Sequence, residues 1–84
     1  MEQLDNRILH LISQQLRIPQ ATLTPDTHFV EELGVDSVDF IELVMHLEKE
    51  FHIKIPDNQI KKMRSVKDVI TGIEQMVHTQ DLKR

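Results

Sequence analysis

Eighty-four residues hold one small domain and leave no room for two cores. With 39% hydrophobic residues, three Phe, no Trp, no Tyr and no Cys, the chain can build only a modest aliphatic core, and disulfide scaffolds, thiolate catalysis and cysteine-ligated metal centres are excluded. The formal net charge of −4 is the wrong sign for a general nucleic-acid binder.

The start, Met-Glu-Gln-Leu-Asp, lacks the basic residues and apolar middle of a secretory signal, so the chain reads as complete, intracellular and cytoplasmic. Its longest apolar run, Leu43-Val44-Met45, falls far short of the roughly 20 residues a membrane span needs. Leu4, Ile8, Leu11, Ile12 and Leu16 recur at helical spacing and predict an amphipathic helix over residues 2–16. Residues 17–35 carry two prolines and no sustained period, yet they keep Ile18, Leu23, Phe29, Val30, Leu33 and Val35. A loop this long with so many apolar residues is expected to pack on the core.

A second helix is predicted over 36–51, with Asp36 as N-cap, Asp39 at the positive end of the dipole and Gly34 permitting the sharp entry. Pro56 forbids its continuation, and Asp57 opens a short helix over about 57–62. The last helix, about 65–79, opens on the capping pair Ser65 and Asp68 and buries Val66, Val69, Ile70, Ile73 and Val77, despite Gly72 in its interior. Residues 80–84 read as a frayed end. No segment alternates with period two. The fold class is therefore all-α: a single domain over 1–84, a small four-helix bundle of three main helices and one short one, with a long first loop.

Charge is unevenly spread. Between Asp26 and Asp57 there are nine acidic and two basic residues, a net of −7, whereas from Lys61 onward six basic residues outnumber three acidic ones. The middle of the chain should attract basic partners. On a wheel of about 100° per residue centred on Val44, Phe40, Leu47 and Phe51 fall within about 60° on one side and Ile41 about 60° on the other, which defines the expected buried stripe. Val38 and Met45 lie about 100–120° away, beside Asp39, Glu42 and Lys49. An apolar pair among carboxylates is what docking onto a basic, partly apolar groove requires.

Ser37 stands at the first position of that helix. Asp36 already supplies the capping oxygen, so the Ser37 hydroxyl is free to face solvent, and a phosphate ester there would sit at the positive end of the helix dipole. His10, His28, His46, His52 and His78 show no ligand spacing, and Asp36, Asp39 and Glu42 at three-residue steps do not form a calcium loop, so no metal site is expected. No nucleophile–base pairing and no glycine-rich phosphate loop is legible, so an enzyme is not expected either.

The stretch Asp26-Thr27-His28-Phe29-Val30-Glu31-Glu32-Leu33-Gly34-Val35-Asp36-Ser37-Val38-Asp39-Phe40-Ile41-Glu42-Leu43-Val44-Met45, continued by Leu47-Glu48-Lys49-Glu50-Phe51 and Ile55-Pro56-Asp57, resembles the acyl carrier protein family. The length, acidic character, long first loop and Ser65-Val66-Lys67-Asp68-Val69 start of the last helix agree with it. The resemblance implies a carrier and not an enzyme, with a 4′-phosphopantetheine arm placed on Ser37 from coenzyme A by a phosphopantetheinyl transferase and acyl groups held as thioesters on the arm. It further implies a partner-binding surface of Asp36, Val38, Asp39, Glu42, Met45 and Glu48, read by basic patches on acyl-transfer, ketosynthase and related biosynthetic enzymes. Ile41, Val44, Leu47, Ile60 and Val66 would line the space that shelters an acyl chain.

Val38 stands where the family usually has leucine, and Lys49 interrupts a usually acidic run. These departures point toward a specialised carrier with dedicated partners. The expected function is acyl carriage in fatty acid or related lipid or polyketide biosynthesis by a monomer that spans no membrane and binds no nucleic acid. The alternatives are an aminoacyl or peptidyl carrier and an unmodified acidic interaction module.

Overall fold

A computed structural model describes the backbone of residues 2–82 and the side chains of residues 4–78. In chain order it contains α1 (Glu2–Leu16), a single 3-10 turn (Gln20–Thr22), α2 (Ser37–Phe51), α3 (Asp57–Ile60) and α4 (Val66–Leu82). Among the described residues there is no strand, and one isolated antiparallel bridge pairs His28 with Ser65. The architecture is all-α, as the periodicity predicts.

Each helix is set by its own residues. In α1, Ile8 and Ile12 are fully buried, and Leu4, Leu11 and Leu16 pack at the edge of the core. The helix stops at Arg17, whose φ of 59° is the left-handed conformation that ends many helices. Helix α2 starts after Asp36, which holds an extended backbone and whose Oδ1 accepts the Asp39 amide at 2.8 Å. It ends at His52, again left-handed at φ 55°.

The buried stripe of α2 is Leu43, Val44 and Leu47, flanked by the partly buried Phe40 and Phe51. Ile41, placed in the stripe from the wheel, is instead 44% exposed, while Leu43 is sealed. The physical reason is that Phe40, Leu43, Leu47 and Phe51 all lie on the same side of Val44, so the centre of burial rotates toward them and carries Ile41 out to about 110° from it.

Helix α3 is one turn, ending at Ile60 instead of about 62, and the chain continues as a turn through Lys62. At the start of α4, Asp68 Oδ2 accepts the amides of Arg64 and Ser65 at 3.1 and 3.2 Å, and Ser65 Oγ accepts the Asp68 amide at 3.3 Å. This reciprocal box satisfies donors that a helix start leaves unpaired. Helix α4 then runs to Leu82, so the backbone is helical through part of the stretch expected to fray, and residues 83–84 of that stretch lie outside the described residues.

The long loop between α1 and α2 packs on the core, as its apolar content predicts. Leu23, Thr27, Phe29 and Val35 are all buried. Three backbone bonds tie the loop to the α3–α4 corner: the Phe29 amide donates to the Arg64 carbonyl at 3.0 Å, the Val66 amide to Thr27 at 2.9 Å and the Lys67 amide to Pro25 at 3.0 Å. Buried Phe29 joins Ile8, Ile12, Leu43, Leu47, Val66, Val69 and Ile73 in one core. At about 1.5–3 kcal/mol for each large buried side chain, this cluster is the main force holding loop and helices together.

Candidate functional site

The head of α2 is built by the end of that loop. A local turn closes on itself: the Glu32 and Leu33 amides donate to the His28 carbonyl, the Gly34 amide to Val30, and the Val35 amide to Phe29 at 2.9 Å. The Glu32 carboxylate accepts the His28 amide at 3.1 Å and stands 3.5 Å from His28 Nδ1. Gly34 has φ of 67° and open space around its Cβ position, so glycine is demanded here by backbone conformation and not by crowding. Buried Val35 then anchors the chain, Asp36 caps the helix and Ser37 begins it. Because Asp36 supplies the capping oxygen, the exposed Ser37 hydroxyl is released from that duty.

Beside Ser37 opens a cleft of about 390 Å³, lined by Ser37, Phe29, Val30, Phe40, Ile60 and Met63, with His28, Glu31, Lys61 and Arg64 also contributing. This is within the range of pockets that hold small ligands. The rings of Phe29 and Phe40 meet at 5.3 Å between centroids and 54° between planes, a tilted arrangement favoured by aromatic quadrupoles. The cleft is therefore a mostly apolar slot between loop and α3, with Ser37 among its lining residues.

Of the five residues expected to line a sheltering space, Ile60 alone lines this cleft. Val44, Leu47 and Val66 are sealed in the helical core, and Ile41 is exposed. The reason is the path of the loop: bonded to the α3–α4 corner, it brings Phe29 across the head of α2 and places the opening on the Phe40 side. Phe29 and Phe40, expected from the sequence only as core residues, and Met63, which no local pattern singles out, form further apolar walls of the cleft. The buried apolar residues of a proline-containing loop were the signal that this segment forms a wall.

Along α2, Val38 and Met45 are 67% and 60% exposed, in keeping with their position off the buried stripe, and exposed Ile41 extends them into a continuous apolar strip. Asp39 and Glu42 are exposed beside it. Met45 also borders a shallow hollow with Glu42, His46 and Lys49. Glu48 differs from the other acidic residues of the helix. It is half-buried, and its Oε2 accepts the amide of buried Ile55 at 2.7 Å, holding the chain that leaves α2.

Two carboxyl groups elsewhere have displaced ionisation. Burial opposes ionisation of Asp68, but the Arg64 and Ser65 amides, the Ser65 hydroxyl and the charge of His28 outweigh it and hold Asp68 below its ordinary value. Glu74 of α4 is pushed up by sharing a hydrogen bond with Asp5 of α1, aided by burial and by the charge of Asp5. Asp5 Oδ1 is buried with no hydrogen-bond partner among the described residues.

The phosphopantetheine attachment site family matches residues 6–73. The acyl carrier protein of Helicobacter pylori (strain J99 / ATCC 700824) is 47% identical over 64 residues, covering 76% of this chain and 82% of that protein. This chain belongs to the acyl carrier protein family. The solution structure of the apo doublet acyl carrier protein from prodigiosin biosynthesis superposes with a TM-score of 0.77 at 29% identity, over 89% of this chain; the carrier described here spans about a third of that chain, 36%. Members of the family are carriers and not enzymes, carry covalent 4′-phosphopantetheine, and work with phosphopantetheinyl transferases and biosynthetic enzymes. No helix among the described residues is long and apolar enough to cross a membrane. The geometry of this carrier fits such an arm: an accessible hydroxyl, relieved of capping, stands where an apolar slot opens.

Proposed function

We propose that Ser37 accepts the 4′-phosphopantetheine arm from coenzyme A and that the carrier holds acyl intermediates for a fatty acid, specialised lipid or polyketide pathway. The observation that carries this reading is the division of labour at the head of α2, where Asp36 caps and Ser37 stands exposed at the mouth of the cleft. Once attached, the arm supplies a thiol that forms thioesters with acyl groups. The chain's own residues do the rest. The α2 amides and dipole favour a phosphate at Ser37, and Phe29, Phe40, Ile60 and Met63 offer an acyl chain a surface away from water.

The partner face in this reading is Asp36, Val38, Asp39, Glu42 and Met45, widened by Ile41, with Glu48 at its edge because its carboxylate also serves Ile55. Exposed carboxylates steer basic partners and the apolar strip supplies contact, which suits small, reversible interfaces. Val38 and Lys49 on this face support a specialised pathway with dedicated partners. A cytoplasmic monomer is the form in which the carrier would visit them. Incubation with coenzyme A and a broad-specificity phosphopantetheinyl transferase tests the proposal. One phosphopantetheine is expected by intact mass, and none on Ser37→Ala. No adduct with several transferases would reject it.

A further inference from the structure

A glycine inside a helix is unfavourable relative to alanine, and Gly72 sits well within α4 without the positive φ that would call for one. Its neighbour accounts for it. A Cβ built on Gly72 would lie 2.6 Å from Met63 Cε, well inside van der Waals contact, so the Met63 methyl rests against Gly72 and would have to shift if a side chain stood there. Met63 also lines the cleft beside Ser37, whereas no residue of α4 does. Met63, 6% exposed, thus touches both the cleft and α4. Methionine is unbranched and polarizable, with several rotatable bonds, and adapts its shape more readily than Leu or Ile.

We infer that Met63 is the adaptable inner wall of the cleft and that Gly72 is the recess that holds its methyl back, so that the pair sets the length of unbranched, apolar acyl chain the carrier shelters. Filling the recess drives Met63 toward Phe29, Phe40 and Ile60 and shortens the slot; truncating Met63 lengthens it. The inference rests on the reading that cargo attached through Ser37 enters this cleft.

The test uses the full chain labelled with carbon-13 at the methionine methyls, loaded by a broad-specificity transferase with butanoyl, hexanoyl, octanoyl or decanoyl pantetheine from the matching coenzyme A thioesters. Four methionines make the spectrum simple, and Met63→Leu assigns the Met63 signal while keeping the core filled. In the unaltered carrier, the Met63 methyl shift and the gain in melting temperature over the unacylated form are expected to grow with chain length up to a limit. Gly72→Ala, with helical content intact, is expected to reach that limit about two carbons earlier, and Met63→Ala later. Met63→Leu, which cannot enter the recess as a flexible thioether does, should alter the limit even if Met63→Ala fails to fold. An unchanged limit in folded, loaded Gly72→Ala and Met63→Leu overturns the inference while leaving Ser37 as the attachment point. A mass showing no adduct on any form removes the Ser37 reading and this inference with it.

Discussion

The Asp36 carboxylate accepts the Asp39 amide at 2.8 Å, and this one bond separates two duties that adjacent residues could have shared. Asp36 holds the head of α2, and Ser37 is left for chemistry. Removing the cap by Asp36→Ala is expected to lower stability by about 1 kcal/mol, equivalent to about 4–8 °C in melting temperature for a domain of this size. Ser37→Ala should leave stability within about 0.5 kcal/mol of the unaltered carrier. Thermal melts of the two variants check the division; equal losses would show that Ser37 also supports the helix.

Stability should respond to pH in two opposite ways. Asp68 titrates below its ordinary value in the fold, so its contribution is fully present above the unfolded value of 3.8 and is lost as pH falls through the lower folded value. Glu74 titrates above 4.5 because, protonated, it bridges to Asp5; that contribution is present below 4.5 and is lost as pH rises through the higher folded value. Glu74→Gln supplies a permanent donor to the buried Asp5 oxygen and is expected to raise stability at neutral pH, with little change below pH 4.5. Asp68→Asn should weaken the neutral-pH fold and flatten its acid-side decline. Denaturant melts across pH measure both.

His52 ends α2 at φ 55° and ψ 47°, a conformation that strains a side chain bearing Cβ and that glycine adopts freely. His52→Gly is expected to raise stability by about 0.5–1 kcal/mol after the added freedom of the unfolded chain is counted. Equilibrium unfolding checks this, with a loss of stability pointing to contacts of the imidazole that outweigh the backbone gain.

The acidic residues of α2 should separate by role. Asp39→Lys with Glu42→Lys should slow transferase loading strongly at low salt and much less at high salt, with the fold intact, because exposed charges act mainly on encounter. Glu48→Ala should instead lower stability by about 1 kcal/mol through loss of its bond to the Ile55 amide, with a smaller effect on loading. Stopped loading assays at two salt concentrations, paired with melts, distinguish the two kinds of carboxylate.

The helices, their caps and the exposure of Val38 and Met45 were legible because they depend on local spacing. Asp36 and the Ser65–Asp68 box declare themselves within three residues, and the wheel shows which side chains miss the core. The cleft was not legible for a different reason. Its walls, Phe29, Phe40 and Met63, come from a loop, a helix and a turn brought together by long-range bonds such as Phe29 to Arg64 and Val66 to Thr27. No local period encodes that meeting. Ile41 is a different case: once Leu43 is counted with Phe40, Leu47 and Phe51, the wheel itself moves the centre of the stripe away from it. Gly72, read from sequence as a cost to its helix, acquires a reason once Met63 is seen against it.

The attachment point is the centre of this account, and the chain offers three serines to choose from: Ser13, Ser37 and Ser65. Ser65 is buried in the box that starts α4, and Ser13 Oγ donates to the Ile18 carbonyl at the end of α1. Peptide mapping by tandem mass spectrometry after transferase treatment is the most direct measurement. A single phosphopantetheine on the peptide bearing Ser37, absent from Ser37→Ala, is the predicted result; an adduct on Ser13 or Ser65, or none at all, would contradict it.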